Sequence, residues 1–202
     1  MTKHEGDRVR SYLSAVRGRY LDAFKHALED AKAEAQKSNR KLIIEAAASV
    51  DPGAGASDDG GLPYRLDVVH LGSGGAVQPT VVDAGHDLPW DPEAAQFGDF
   101  LAEIEPFVWH TCVVVGEPAP DPAQLSQLKD WFVRWFQREG HHGEKPFGGV
   151  VHSMTEPQVD GDALRVQVDL GSAPVDALVD LLEVFGKMGA RDGLVFTPDA
   201  TA

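Results

Sequence analysis

The residues of this chain whose types and spacing suit chemistry gather around one hairpin. Asp160-Gly161 separates two β-rich runs within Phe147 to Gly171. A two-residue turn of that composition takes positive φ at both centres, which Asp and Gly supply at low cost. Such a turn predicts Val159 opposite Asp162, Glu156 opposite Arg165 and His152 opposite Asp169. Along the second run Leu164, Val166, Val168 and Leu170 alternate with Arg165, Gln167 and Asp169. The first set is therefore expected on the core side and the second on the other face. An imidazole facing a carboxylate has two chemical uses: the pair can ligate a divalent metal, or Asp169 can orient His152 as a general base. His110, on an apolar run expected beside the strand of Asp169, is a third member, and Arg165 completes the polar groups of a ligand site on the open sheet face. The plainer expectation for the same residues is a hydrogen-bonded His and Asp pair with no ligand.

Three other sets are weaker as chemistry. His141-His142 stand in the loop GHHGEKP, but adjacent residues rarely point the same way and no Cys or carboxylate lies at zinc-site spacing, so a solvated loop is expected. Cys112 shares a strand face with His110 by alternation, a nucleophile-and-base arrangement, yet a thiol within an apolar strand is expected to be buried and inert. Trp131, Arg134 and Arg138 on one helix, with Trp90 and Tyr64, form an aromatic and cationic set suited to partner recognition, set against the simpler reading that aromatics at helical spacing are core. The Gly72-Ser73-Gly74-Gly75 cluster lacks the following helix and the Lys-Ser/Thr ending of a phosphate loop, and no nucleophile elbow, paired zinc motif or dinucleotide fingerprint occurs.

The elements that must position these residues follow from periodicity. Residues 7 to 38 read as one long amphipathic helix, with Val9, Tyr12, Leu13, Val16, Tyr20, Leu21, Phe24, Leu28, Ala31 and Ala35 forming a stripe at three- and four-residue steps. Lys41 to Val50, Tyr64 to Leu71 and Ala76 to Asp83 read as an antiparallel meander, with a polar glycine-rich loop at Asp51 to Gly61. Asp91-Pro92 predicts a short helix to about Ile104 by the cap-then-proline pattern. From 106 onward a strand at Phe107 to Val115, a helix from Asp121-Pro122 to Glu139, the hairpin, a helix from Ala173 to Met188 and a strand at Leu194 to Thr197 give the order βαββαβ, which is the ferredoxin-like order. In that arrangement the strand from 107 is central and beside the strand from 163, and the strand from 149 lies at an edge, as Pro157 near its end suits. The fold class expected is α+β: a long N-terminal helix, a meander and a ferredoxin-like C-terminal half. Residues 1–105 form a first lobe and 106–202 the second, together making one compact domain.

Composition narrows the function classes. The chain has 202 residues, one cysteine and a net charge of −14. No run approaches the ~20 apolar residues that span a bilayer, and the charged N-terminus has no apolar leader segment. A lone thiol suits a reducing compartment, so a cytoplasmic location is expected. Residues 1 to 41 carry ten Lys/Arg and six Asp/Glu, a net of plus four, whereas the remainder carries eight and twenty-six, a net of minus eighteen. An acidic body repels phosphate backbones and disfavours nucleic acid as the ligand. The leading expectation is a non-catalytic acidic binding protein that engages a basic protein partner; a third, plainer reading is self-association as a homodimer through the open sheet face, with no ligand. The alternative is a small-molecule or metal-binding protein, catalytic or sensory, built on His152, Asp169, Arg165 and His110. No organic cofactor is expected, and a divalent metal is compatible with the His and Asp set.

Overall fold

In the computed structural model the N-terminal helix, α1 (Lys3–Ser38), buries the whole stripe from Val9 to Ala35. The chain is described over residues 3–48, 62–72, 77–80, 82–85, 88–137 and 145–198, the side chains of 3–6 excepted. Asn39 at φ +52 ends α1, and the Arg40 N–H reaches back to the Ala35 carbonyl at 3.0 Å, the closing bond of a Schellman cap. Arg17 on the same helix donates to the Ala173 and Ser172 carbonyls at 2.7 and 3.2 Å, which docks α1 on the C-terminal half.

Strands β1 (Lys41–Ala48), β2 (Tyr64–Leu71) and β3 (Val77–Thr80) form the expected antiparallel meander. The next segment departs from expectation. In place of a helix ending at Ile104, β4 (Glu93–Phe97) and β5 (Phe100–Ile104) make a hairpin across Gly98, whose φ is +59. Phe100, Ala102 and Ile104 are buried while Leu101 and Glu103 are exposed, a period of two that the proline-based helix signal masked.

Strand β6 (Cys112–Glu117) is shorter than expected, because residues 109–111 form a 3-10 turn. The Val108 N–H is held by Thr197 Oγ1 at 2.7 Å and the Trp109 indole by the Gly171 carbonyl at 3.0 Å, so both are drawn out of strand pairing. Helix α2 (Ser126–Phe136) follows a 3-10 turn at Pro122–Gln124, with the Asp121 carboxylate capping the Ala123 N–H at 2.9 Å. Strands β7 (Ser153–Met154), β8 (Gln158–Asp160) and β9 (Ala163–Asp169), helix α3 (Val175–Lys187) and β10 (Asp192–Phe196) complete the chain. The second sheet has seven strands in the order β4-β5-β10-β6-β9-β7, with β8 also on β9. Only β10 with β5 is parallel. Strand β6 is central beside β9 and the 153–160 segment lies at the edge, as the sequence predicts.

The hairpin register is shifted. Gly161 at φ +60 takes the first turn position and Asp162 the second, so Asp160 pairs with Ala163 and Gln158 with Arg165. Glu156 and Pro157 then break the ladder, consistent with the missing N–H of proline, and pairing resumes with the Thr155 N–H on the Gln167 carbonyl at 2.9 Å, Met154 opposite Val168 and Ser153 opposite Asp169. Glu156 is thus not opposite Arg165; it lies 3.8 Å from Lys129. His152 is likewise not the cross-strand partner of Asp169. The core side of β9 is unchanged, with Leu164, Val166, Val168 and Leu170 fully buried. One hydrophobic cluster runs from Val9 and Val68 through Ile104 and Phe132 to Val195, drawing residues from both sides of position 105.

Candidate metal centre

Where the C-terminal end of β9 meets α1 and the meander, four chain segments bring polar side chains into the interior. Glu45 comes from β1, Asp67 from β2, His152 from the segment before β7, and Asp169 and Ser172 from the end of β9 and the turn after it. Glu45, Asp67, His152 and Ser172 are buried, and His152 is fully so. A buried charge or polar group must find partners or pay several kcal/mol, so their arrangement is informative.

Glu45 is held at φ +51, a region that costs an L-residue about 1–2 kcal/mol. Its neighbours pair regularly, Ile44 with Val68 and Ala46 with Leu66, while Glu45 itself leaves the ladder. The kink turns its carboxylate inward, where Oε1 meets His152 Nε2 at 3.0 Å and accepts the Ser172 hydroxyl, and Oε2 accepts the Gly148 N–H at 2.5 Å. Ser172 Oγ accepts the Gly149 and Val150 N–H groups at 2.9 and 3.2 Å. Asp67 accepts the Tyr20 hydroxyl on Oδ1 and the Val82 N–H on Oδ2, both at 2.8 Å. Asp169 Oδ1 accepts the Gly171 N–H at 2.9 Å. Gly171, at φ +50, lies flat on the imidazole, so a Cβ there would strike the ring. Phe24 closes the other side edge-on, with centroids 6.2 Å apart.

One atom in this network has no hydrogen bond: His152 Nδ1. It lies 3.0 Å from Asp67 Oδ1 without a bonding angle, and 3.9 Å from Asp169 Oδ2, beyond hydrogen-bond distance. Because Glu45 engages Nε2, the neutral tautomer it favours carries a lone pair on Nδ1, facing two carboxylate oxygens. Only a proton or a cation relieves that opposition. Burial works to lower the His152 pKa, but the Asp67 and Glu45 carboxylates outweigh it and raise the group to about 10. Burial likewise works to raise Glu45 and Asp67, and is outweighed by His152 and by the other donors, so both end below the usual carboxylate range. At Asp169 burial wins and the carboxyl is raised. Tyr20 is raised well above its ordinary value, first by burial and then by the Asp169 and Asp67 charges.

The donor set also fits a metal. One ligand atom each from Asp67, His152 and Asp169 lies within 4.8 Å of the others. Two atoms bound to one ion at about 2.1 Å stand about 3.4 Å apart at the tetrahedral angle, which the 3.0 and 3.9 Å separations bracket. Of the three groups, Asp169 is the one with appreciable solvent contact, its side chain being 27% exposed. The His152 ring is fully buried, so the arrangement suits a closed centre.

Of the residues singled out from sequence, the fold brings His152 and Asp169 together. His110 stays close, its ring 5.8 Å from that of Tyr20, but it is not among the converging ligand atoms. Arg165 is exposed elsewhere on the sheet, 5.7 Å from the Phe196 ring. Trp131 is buried and donates to the Ala177 carbonyl at 3.1 Å, and Arg134 pairs with Asp180 at 3.2 Å. Arg138, His141 and His142 lie outside the described residues. Cys112 is fully buried, and burial pushes its thiol far above the ordinary range. Sequence reasoning missed Glu45, Asp67, Tyr20 and Ser172. The available signal was a lone acid in each of two apolar strands, KLIIEAAA and YRLDVVHL.

No family model matches the chain, and no curated protein or solved structure is significantly similar to it. Function is therefore read from the geometry.

Proposed function

We propose that this is a non-catalytic metal-holding protein in which Asp67, His152 and Asp169 bind one divalent first-row cation and Glu45 orients the imidazole through its other nitrogen. The observation that carries this reading is the fully buried His152 Nδ1, without a hydrogen bond and flanked by two carboxylate oxygens. An imidazole with two carboxylates suits Zn²⁺ or Mn²⁺ better than Ca²⁺ or Mg²⁺, which take oxygen ligands. The ion would tie the meander to the end of β9, a structural role that agrees with the closure of the site. Untagged protein is expected to contain near-stoichiometric metal by elemental analysis. After chelation, Zn²⁺ or Mn²⁺ at about 100 times its Kd should restore about 2.7 kcal/mol of stability. Absence of bound metal together with no shift in melting on adding either ion to the stripped protein would falsify the proposal.

Finer readings belong with it. Residues 106–198 read as a ferredoxin-like unit, which the order β10-β6-β9-β7 and its antiparallel pairing support. The acidic excess beyond residue 41 supports a basic protein as partner. A pull-down from the host whose catch does not weaken with salt would count against that partner. The single buried thiol supports a reducing, cytoplasmic setting.

A further inference from the structure

The second sheet has one face turned away from α3. In β6 a Cβ on Gly116 would strike Phe185 of α3, so Gly116 faces the helix and Val115 faces away. Directly paired residues share a face. Leu194 pairs with both Glu103 and Val115, and Val115 pairs with Arg165, so Glu103, Leu194, Val115 and Arg165 form one row across β5, β10, β6 and β9. Leu101, two residues along from Glu103, is 40% exposed on the same face, and Phe196 lies two along from Leu194. Arg165 is held down on that face by the Phe196 ring. The row therefore reads acid, two half-buried apolar residues, base. Among the described residues neither Glu103 nor Arg165 has an ion-pair partner.

That pattern is self-complementary in one orientation. Neighbouring strands are about 4.8 Å apart, so the Glu103 and Arg165 backbones stand about 14 Å from one another with Leu194 and Val115 between them. A two-fold axis parallel to the strands, running between β10 and β6 and midway between two facing sheets, carries Glu103 of one copy over Arg165 of the other. It lays the apolar centre on itself. An axis across the strands would instead place Glu103 on Glu103. We propose that this face is the interface of a homodimer with the first symmetry, closed by two Glu103–Arg165 pairs around Leu194 and Val115. The proposal is independent of the metal centre.

The test uses the full chain in analytical ultracentrifugation over a concentration series, with Glu103→Arg and Arg165→Glu alone and mixed. Each single reversal places like charges at both ends of its own dimer and is expected to weaken self-association about tenfold or more. An equimolar mixture restores opposite charges at both ends: the introduced arginine of one variant meets the introduced glutamate of the other, and the unchanged Glu103 meets the unchanged Arg165. The heterodimer should therefore form with near wild-type affinity. Both positions are exposed, and a cooperative melting transition with a wild-type circular dichroism spectrum will show that the variants fold; Glu103→Gln and Arg165→Gln, with smaller losses expected, serve if a reversal does not. A wild-type chain that stays monomeric at every concentration overturns the proposal, as does a dimer whose affinity ignores both reversals or a mixture no tighter than either variant alone.

Discussion

Replacing His152 by Ala in metal-free protein should be among the most damaging single changes available. The ring is fully buried and stands 3.0 Å from both Glu45 and Asp67. Removing it strands those two carboxylates in the interior, and breaking a buried ion pair from one side costs about 3–5 kcal/mol. For a chain of this length each kcal/mol moves the melting temperature by about 2–4 °C, so a fall of roughly 6–20 °C is expected. Differential scanning calorimetry with chelator present reads this directly. The mechanism carries its own internal control: adding Glu45→Gln and Asp67→Asn to His152→Ala removes the stranded charges and should recover part of the loss. A destabilisation below about 1 kcal/mol, the range of an exposed ion pair, would show that the three groups do not form a buried charged cluster.

Other changes separate the fold's parts. Gly171→Ala places a Cβ at positive φ against the His152 ring and should cost about 2–5 kcal/mol, the sum of the backbone and overpacking terms, measured by urea unfolding. Phe24→Ala removes the ring that packs on Phe147 at 4.6 Å and edge-on to His152, with an expected loss of about 3–5 kcal/mol in the same assay. Arg134→Ala breaks only the exposed contact with Asp180 and should change stability by no more than about 1 kcal/mol. Native protein should react with a thiol reagent at Cys112 only on the timescale of unfolding, because the thiol is buried and held protonated; prompt labelling would contradict that burial.

Much of the architecture was legible in one dimension because helix and strand periodicity are local. The α1 stripe, the meander and the alternation along β9 follow from spacing of apolar residues that pack where the pattern puts them, whereas the central place of β6 was read from the βαββαβ element order. The errors were also local in origin. Asp91-Pro92 looks like a helix start but precedes a strand, and Asp160-Gly161 admits two turn phases one residue apart, between which only the packed ladder chooses.

The candidate centre is a different kind of object. Its members stand at positions 20, 45, 67, 152, 169 and 172, and the contact between Glu45 and His152 spans 107 residues of chain. Sequence reasoning assigned β9 a wet and a dry side and set His152 opposite Asp169 in a register that the ladder shifts, Asp169 pairing with Ser153 instead. It could not reveal that Glu45 takes a left-handed backbone, or that β2 runs beside the segment of His152 with Arg65 N–H on the His152 carbonyl at 2.8 Å. Those facts depend on where the meander docks, which is decided by the shape of the whole interior and not by any stretch of residues within it.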